Sequence, residues 1–459
     1  MSEHFDLITI GGGSGGVAAS RRAAAHGARV ALIESDALGG TCVHRGCVPK
    51  KLMMYAGQFR SAFDTAAAFG WTMENEQFHM ETWQDAKNAE LERLDKIYQQ
   101  MLQSANVELI NGLAQITGRG RVRVGARELS CTHLLIATGG RPSAAPIAGL
   151  EHAATSEDML NSRTVPRRMA VVGAGYIGME FASIFSRLGS EVSVFFRDHS
   201  PLRGFDHDLR IRLSQALERA GLTLYAGSNM ESLTRSGNGY LLQVRGKEPM
   251  AFDAVLNATG RIPNTENLGL QSIGLELGPG AAIPVNDYSA TVVPGVYAVG
   301  DVTNRKNLTP LAIAEGRAFA DTVFGGLDIP FQATEVATAV FTEPSIGTVG
   351  LTENDAAQQG ALIIYEADFR PMATAFAQRS DRTYMKLVVD AASDRVLGIH
   401  MIGNDAPEII QSLAVSLRAG VTKRQFDQTI AIHPTTAEEF VLMREPARRV
   451  PAGKTTFPP

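Results

Sequence analysis

Cysteine is scarce: three residues in a chain of 459. That is too few for a disulfide scaffold and suits a reducing compartment, where a close pair reads as redox or metal chemistry rather than bracing. Long apolar runs are also missing. Each is broken by glycine or a charge well short of the 18 or so residues that a membrane span needs. The start, Met1 to Asp6, has no basic stretch leading into an apolar one, so no secretory signal is expected and a cytoplasmic location is. There is no excess of positive charge. The formal net charge is −5, which argues against a general nucleic-acid binder. No segment is low-complexity. Apolar residues make up 44% and charged residues 20%, ordinary values for a chain long enough to bury cores in three or four domains.

What is abundant is glycine, 45 residues in all, and it is clustered. The run Gly11-Gly12-Gly13-Ser14-Gly15-Gly16 follows an apolar strand candidate, Phe5 to Ile10, and opens an Ala-rich helix candidate over 17–25. A second strand candidate, Arg29 to Glu34, completes a βαβ unit. The same grammar returns with the strand 168–172, the turn Gly173-Ala174-Gly175-Tyr176-Ile177-Gly178, a helix over 179–188 and a strand over 191–196. Two further segments echo each other: Leu134 to Pro142 and Val255 to Pro263, each a short strand ending in Ala-Thr-Gly and an Arg/Pro turn. They read as closing strands, with Pro142 and Pro263 near domain exits. Residues 81–104 read as an amphipathic helix with Leu91, Leu94, Ile97, Met101 and Leu102 along one face. From about 335, short strands (336–341, 383–389, 395–401) and helices (405–419, 435–444) suggest a separate α+β domain. The tail from Arg444 reads as loosely ordered.

In the first cluster Gly11, Gly13 and Gly16 have the dinucleotide-binding spacing, and Glu34 closes the next strand, placed for ribose hydroxyls. The glycines allow a tight turn, close approach of backbone to a pyrophosphate, and close helix–strand packing, while the helix N-terminus faces the phosphates. A ligand-free glycine turn is the alternative; strand, helix and acid in register speak against it. In the second cluster, Gly173, Gly175 and Gly178, the following strand ends at Phe196-Arg197 instead of an acid, with Arg203 close behind. Two guanidiniums would pair with a phosphate on the adenosine ribose, which favours NADPH over NADH.

Cys42 and Cys47 have four residues between them and are followed by Val48-Pro49-Lys50-Lys51. Pro49 suits the first turn of a helix, so the pair sits at a helix N-terminus, where the dipole and Lys50 lower thiol pKa values. The thiolate is the attacking species in disulfide exchange. Zinc would need two more ligands, and neither a second Cys pair nor an HxxxH spacing is present. Cys131, in a strand-like stretch, reads as core.

The segment Gly39-Gly40-Thr41-Cys42 through Cys47 to Lys51 resembles the redox motif of the class I pyridine nucleotide-disulfide oxidoreductases, and its Val-Pro-Lys-Lys ending is similar to the glutathione reductase branch. Thr291 to Asp301 resembles the family's second FAD motif, and His433-Pro434-Thr435-Thr436-Ala437-Glu438 its C-terminal active-site motif. The resemblance implies an α/β enzyme with two Rossmann-like domains and a C-terminal α+β dimerisation domain. FAD would bind in 1–141 and return through 264–334, NADPH would bind in 142–263, and residues 335–459 would form the interface of a homodimer. Tyr176 would lie over the flavin as a lid, and Lys50 and Glu180 would pair near its reacting nitrogen. Cys47 would be the charge-transfer thiolate and Cys42 the interchange thiol. His433 of the other subunit, oriented by Glu438, would protonate the leaving thiol. Ser14, Gly15, Gly40, Thr41, Ala114, Thr138, Gly139, Asp301 and Thr309 join the implied cofactor contacts, as do Ala174, Ile177 and Gly260. On the residues alone, no one of ten histidines stands out.

The implied reaction is NADPH-dependent reduction of glutathione disulfide, with Ser14, Arg21, Tyr98 and Arg317 matching the substrate contacts. Ala18 and Arg21 stand where trypanothione reductases place an acid and an aromatic. The rival reading is another small disulfide: glutathione amide, a trypanothione-like compound or lipoamide. His44, Arg45 and Met101 depart from the usual pattern and bear on that choice. No cysteine follows Cys131, unlike the large thioredoxin reductases and mercuric reductase.

Overall fold

The computed structural model describes residues 3–74, 76–143 and 145–454. The N-terminal βαβ unit is β1 (Glu3–Ile10), α1 (Ser14–Ala25) and β2 (Val30–Glu34). Two long helices, α2 (Cys47–Ala66) and α3 (Met80–Ser104), separate it from β3 (Glu108–Asn111), β4 (Ala114–Gly118), β5 (Arg121–Val124) and β6 (Arg127–Ile136). The sheet order is β3-β2-β1-β6-β5-β4, and a late strand also joins β6. Its central strands are parallel, and their C-terminal stretches, Leu7 to Ile10, Val30 to Ile33 and Leu134 to Ile136, are buried because both faces are covered. Leu7 packs into one core, and Phe5, Ile8 and Ile10 into another. Cys131 is buried in β6 beside the second of these cores, and desolvation pushes its thiol up to about 12.

The second unit contains β7 (Gly140–Pro142), α4 (Ser156–Asn161), β8 (Arg168–Val172), α5 (Tyr176–Arg187), β9 (Glu191–Phe195), α6 (His207–Arg219) and β10 (Thr223–Tyr225). It ends with β11 (Met230–Ser236), β12 (Gly239–Val244), β13 (Met250–Phe252), β14 (Ala254–Asn257) and β15 (Arg261–Pro263). Strands β10-β9-β8-β14 form a parallel sheet, covered by the antiparallel sheet β11-β12-β13. The two echoing Arg/Pro segments do more than leave their sheets. They pair with each other, β7 antiparallel to β15, as a ribbon between the two units.

Strand β16 (Val296–Ala298) completes the first sheet, and α7 (Thr309–Val323) crosses α1. The C-terminal region has β17 (Thr338–Val340), β18 (Ile346–Gly350), α8 (Glu353–Ala357), β19 (Leu362–Phe369), α9 (Met372–Phe376), β20 (Thr383–Asp390) and β21 (Val396–Ile402). It continues through α10 (Ala406–Arg418), α11 (Lys423–Gln428), α12 (Glu439–Leu442) and β22 (Arg448–Val450). Its sheet, β17-β18-β21-β20-β19-β22, is antiparallel. Two expectations are corrected here. The helix expected over 435–444 is a short turn plus the four-residue α12. The tail expected to be loose from Arg444 contains β22, where Arg448 pairs with Asp208, Glu353 and Glu366. Residues 455–459 lie outside the described residues.

Candidate active site

Each glycine turn has two kinds of glycine. Gly11 has φ +107°, and a Cβ there would lie 2.4 Å from the Ala137 carbonyl oxygen; on Gly16 it would lie 1.9 Å from the Gly11 carbonyl oxygen. These two exist for packing. A Cβ on Gly13 would meet nothing within 4 Å. Gly13 instead borders the cavities in front of the α1 N-terminus. The second turn repeats this: Gly173 and Gly178 are closed in by backbone, and Gly175 is open. An open glycine at a helix N-terminus suits the approach of a pyrophosphate.

Three cavities meet at these turns. The first, about 460 Å³, is lined by Gly11, Gly13, Glu34, Gly40, Thr41, Ala114, Thr138 and Gly139. The second, about 530 Å³, shares Gly13, Thr41 and Gly139 with it and adds Ser14, Gly15, Cys42, Cys47, Lys50, Tyr176, Ile177, Glu180, Asp301 and Thr309. The third, about 840 Å³, shares Tyr176 and Ile177 with the second and adds Gly173, Ala174, Gly175, Arg197, Arg203 and Gly260. Tyr176, the first residue of α5, therefore stands between the last two. Glu34 accepts the Gly12 N–H at 2.6 Å through one carboxylate oxygen and the Ser35 and Asp36 N–H groups through the other. Thr138 donates its hydroxyl to the Asn264 carbonyl, so that group serves the chain itself.

Cys47 is the first residue of α2, and the chain enters that helix through a wide helical turn over Thr41–Arg45. In this dithiol form the Cys47 thiol is drawn down to about 6. The hydrogen bond from the Cys42 thiol is the largest cause; burial opposes it, and the Thr309 hydroxyl (3.7 Å from Sγ) and then Lys50 add to it. Cys42 moves the other way, up, chiefly because it is the donor in that bond. The sequence pointed to Lys50 and the helix end as the depressing influences. A neighbouring thiol and a threonine hydroxyl rank above the lysine. Thr309 starts α7, so two helix N-termini converge on one sulfur.

Lys50 and Glu180 form a buried ion pair at 2.8 Å. The same Glu180 oxygen accepts the Phe341 N–H at 2.9 Å, and Lys50 Nζ lies 4.3 Å from the Phe341 ring. Helices α2 and α5 and the C-terminal region thus meet at one carboxylate. Three further residues support the site without a signal in the sequence strong enough to single them out. Glu315, buried in α7, accepts the Gly300 N–H at 2.7 Å and pairs with Arg305 at 2.8 Å, which fixes the backbone beside Asp301. Arg261 lies 3.8 Å from the Asp301 carboxylate; burial pushes that carboxyl up, and Arg261 opposes the rise.

The expected substrate residues are not gathered in one cavity. Ser14 lines the sulfur cavity, whereas Arg21 lies with Met101 in a groove of about 270 Å³ between α1 and α3. Tyr98 packs against the neighbouring core, and Arg317 is exposed on α7. His44 bonds to the Leu38 carbonyl and Arg45 pairs with Asp36, so both departures brace the redox turn. His433 donates through Nδ1 to the Glu438 carboxylate at 3.1 Å, but it is 81% exposed in its side chain and does not line the sulfur cavity. Among the described residues, no group of three or more His, Cys, Asp or Glu is placed to hold a metal ion.

Residues 5–316 match the family model described as pyridine nucleotide-disulphide oxidoreductase, and residues 336–444 match that family's dimerisation domain. The chain belongs to the pyridine nucleotide-disulphide oxidoreductases. Within that family it is 47% identical to glutathione reductase of Burkholderia cepacia over 96% of this chain and 98% of the relative. Identity is 44% to glutathione reductase of Nostoc sp. (97% of this chain, all of the relative) and 44% to the chloroplastic/mitochondrial glutathione reductase of Pisum sativum (97% and 83%). The α/β reading and the C-terminal dimerisation domain both stand with this membership. No helix among the described residues is long and apolar enough to cross a membrane.

Proposed function

We propose that this oxidoreductase reduces glutathione disulfide with NADPH, through FAD and the Cys42–Cys47 pair. The observation that carries the reading is the Cys47 thiol, drawn down to about 6 in a cavity bounded by the first glycine turn on one side and Tyr176 on the other. The open faces of Gly13 and Gly175 and the paired cavities fit two dinucleotides. The division that goes with it has FAD held by 1–141 and 264–334, NADPH by 142–263, and 335–459 at a homodimer interface.

Bound FAD supplies the relay of an electron pair from NADPH to the sulfurs. The chain does the rest. Gly13, Ser14 and Gly15 present backbone N–H groups, and Glu34 takes the ribose. Arg197 and Arg203 take the 2′-phosphate, and Tyr176 excludes water until the nucleotide displaces it. Glu180 holds the Lys50 ammonium in place in the wall of the sulfur cavity. Cys47 holds the thiolate, and Cys42 passes its proton to the partner subunit's His433 and attacks one sulfur of the substrate as a thiolate, forming a mixed disulfide and releasing a thiolate. The partner subunit's His433 gives that thiolate a proton, with Glu438 holding the imidazole. Cys47 then attacks the Cys42 sulfur of the mixed disulfide, which releases the second thiolate to take a proton from water and restores the disulfide. Ser14, Arg21, Tyr98 and Arg317 are the proposed contacts to the substrate, its carboxylates answered by the two arginines.

NADPH oxidation measured side by side with glutathione disulfide, glutathione-amide disulfide and lipoamide tests the assignment. Glutathione disulfide should give the highest kcat/KM. A preference for either other disulfide, or equal use of NADH, overturns it.

A further inference from the structure

The β9–α6 loop carries two of the cationic residues that line the third cavity, Arg197 and Arg203, on exposed positions; Arg261 and Lys306 line it from other segments. What fixes that loop lies behind it. Arg210, on the first turns of α6, is 9% exposed, and its Nε donates to the Pro201 carbonyl at 2.8 Å while a terminal nitrogen donates to the Ser200 carbonyl at 3.2 Å. No carboxylate among the described residues forms an ion pair with it, and it does not line the cavity. The next residue along the loop, Leu202, is buried with φ +55°, and its N–H donates to the Ala174 carbonyl at 2.8 Å inside the second glycine turn. A bulky residue keeps such a backbone conformation only where its surroundings over-determine it. The start of α6 is anchored in turn: Asp206 caps the helix and accepts Lys386 Nζ at 2.9 Å and the Glu353 N–H at 3.1 Å.

We propose that Arg210 is a specificity-determining positioning residue. By bracketing two successive carbonyls it holds Arg203 at a set distance from the glycine turn, where a ribose 2′-phosphate would arrive. The choice between NADPH and NADH then depends on a residue that touches neither. A guanidinium presents donors in a rigid fork that spans adjacent acceptors; an ammonium is a point donor and spans them poorly. A loop freed by even a small displacement weakens only contacts that need fixed geometry. The proposal rests on the NADPH reading above.

Calorimetric binding of adenosine 2′,5′-bisphosphate and adenosine 5′-monophosphate to the FAD-loaded protein separates the two. Arg210→Leu should bind the bisphosphate about tenfold more weakly, the scale of one charge-assisted hydrogen bond, and the monophosphate unchanged. Arg210→Lys should fall between the two and carries the test if the leucine variant does not fold. Equal weakening for both nucleotides marks a merely structural loss and overturns the proposal, as does unchanged discrimination in both variants. A wild type that binds both nucleotides equally overturns the NADPH reading and the role of Arg210 together. A wild type that discriminates, with variants that do so equally well, overturns the positioning role alone.

Discussion

Cys47 owes its low thiol value to neighbours that can be removed one at a time. The Cys42 thiol ranks first, with the Thr309 hydroxyl and Lys50 behind it, all working against burial. In the reduced protein, Cys47 should alkylate with a rate midpoint near pH 6, as thiolate above it and thiol below. Cys42→Ala should move that midpoint up, and Thr309→Val should move it up by less. Haloacetamide labelling across pH, read by peptide mass, checks both. A wild-type midpoint near the ordinary thiol value of 9, or a larger effect of the threonine, breaks this account of the sulfur. The cysteine spacing identified the pair, but not the ranking. Thr309 is 262 residues away from Cys47, and only the fold brings α7 to the sulfur.

Helices α1 and α7 cross glycine to glycine. A Cβ on Gly316 would lie 2.6 Å from the Gly15 carbonyl oxygen and 3.2 Å from Ala19. Backbone cannot swing aside as a side-chain tip can, so Gly316→Ala should cost about 1–3 kcal/mol in thermal or denaturant unfolding. Gly13→Ala should cost under about 1 kcal/mol, the scale of a changed N-cap, because its added carbon meets only open space. Yet Gly13→Ala should lose FAD on gel filtration, and the apoprotein should still fold. If it retains flavin like the wild type, the cradle has been misplaced. This contrast marks what was legible in the sequence. The βαβ units around Gly11 and Gly173 announce themselves through an apolar strand, a glycine turn and a helix close together in the chain. The segments of β7 and β15 echo each other in the sequence, but nothing local announces that Arg141 pairs with Ile262, and the sheet β11-β12-β13 carries mixed polar and apolar residues exposed on one side, so it has no local signature. The end of the chain misled for a related reason. Its prolines suggested looseness, but β22 is held by Arg448 among Asp208, Glu353 and Glu366, carboxylates from three distant elements.

Across the whole molecule, the NADPH-side helix α6 is joined to the C-terminal sheet by buried charge. Lys386, fully buried, pairs with Asp206 at 2.9 Å, Asp208 at 2.7 Å and Glu353 at 2.7 Å. Burial pushes Asp206 up, but His400 and Lys386 outweigh it and hold the carboxyl at about 2. A depressed carboxylate stabilises the fold fully above its ordinary value of 3.8, and that contribution is lost as pH falls from there through about 2. Burial also pushes His400 below its ordinary value, so as pH falls the unfolded chain takes up that proton first, which works in the same direction. Lys386→Met should therefore cost about 3–5 kcal/mol at neutral pH, by leaving carboxylates buried without their cation, and raise the acid-unfolding midpoint. An unchanged midpoint removes this cluster from the acid limit. The C-terminal region also presents apolar side chains outward around the His433 loop, with Ile430 93% and Ile432 76% exposed. Since His433 and Glu438 do not line the sulfur cavity of their own chain, a shared site makes a sharp prediction. Chains with Cys42→Ser and chains with His433→Ala should each be inactive alone. Co-refolded in equal amounts, half the dimers would be mixed, and each would hold one site with intact Cys42 facing the partner's intact His433. Activity should return to about a quarter of wild type, as two-fold symmetry requires. If the sites were complete within single chains, every site in the mixture would lack one group and no activity would return.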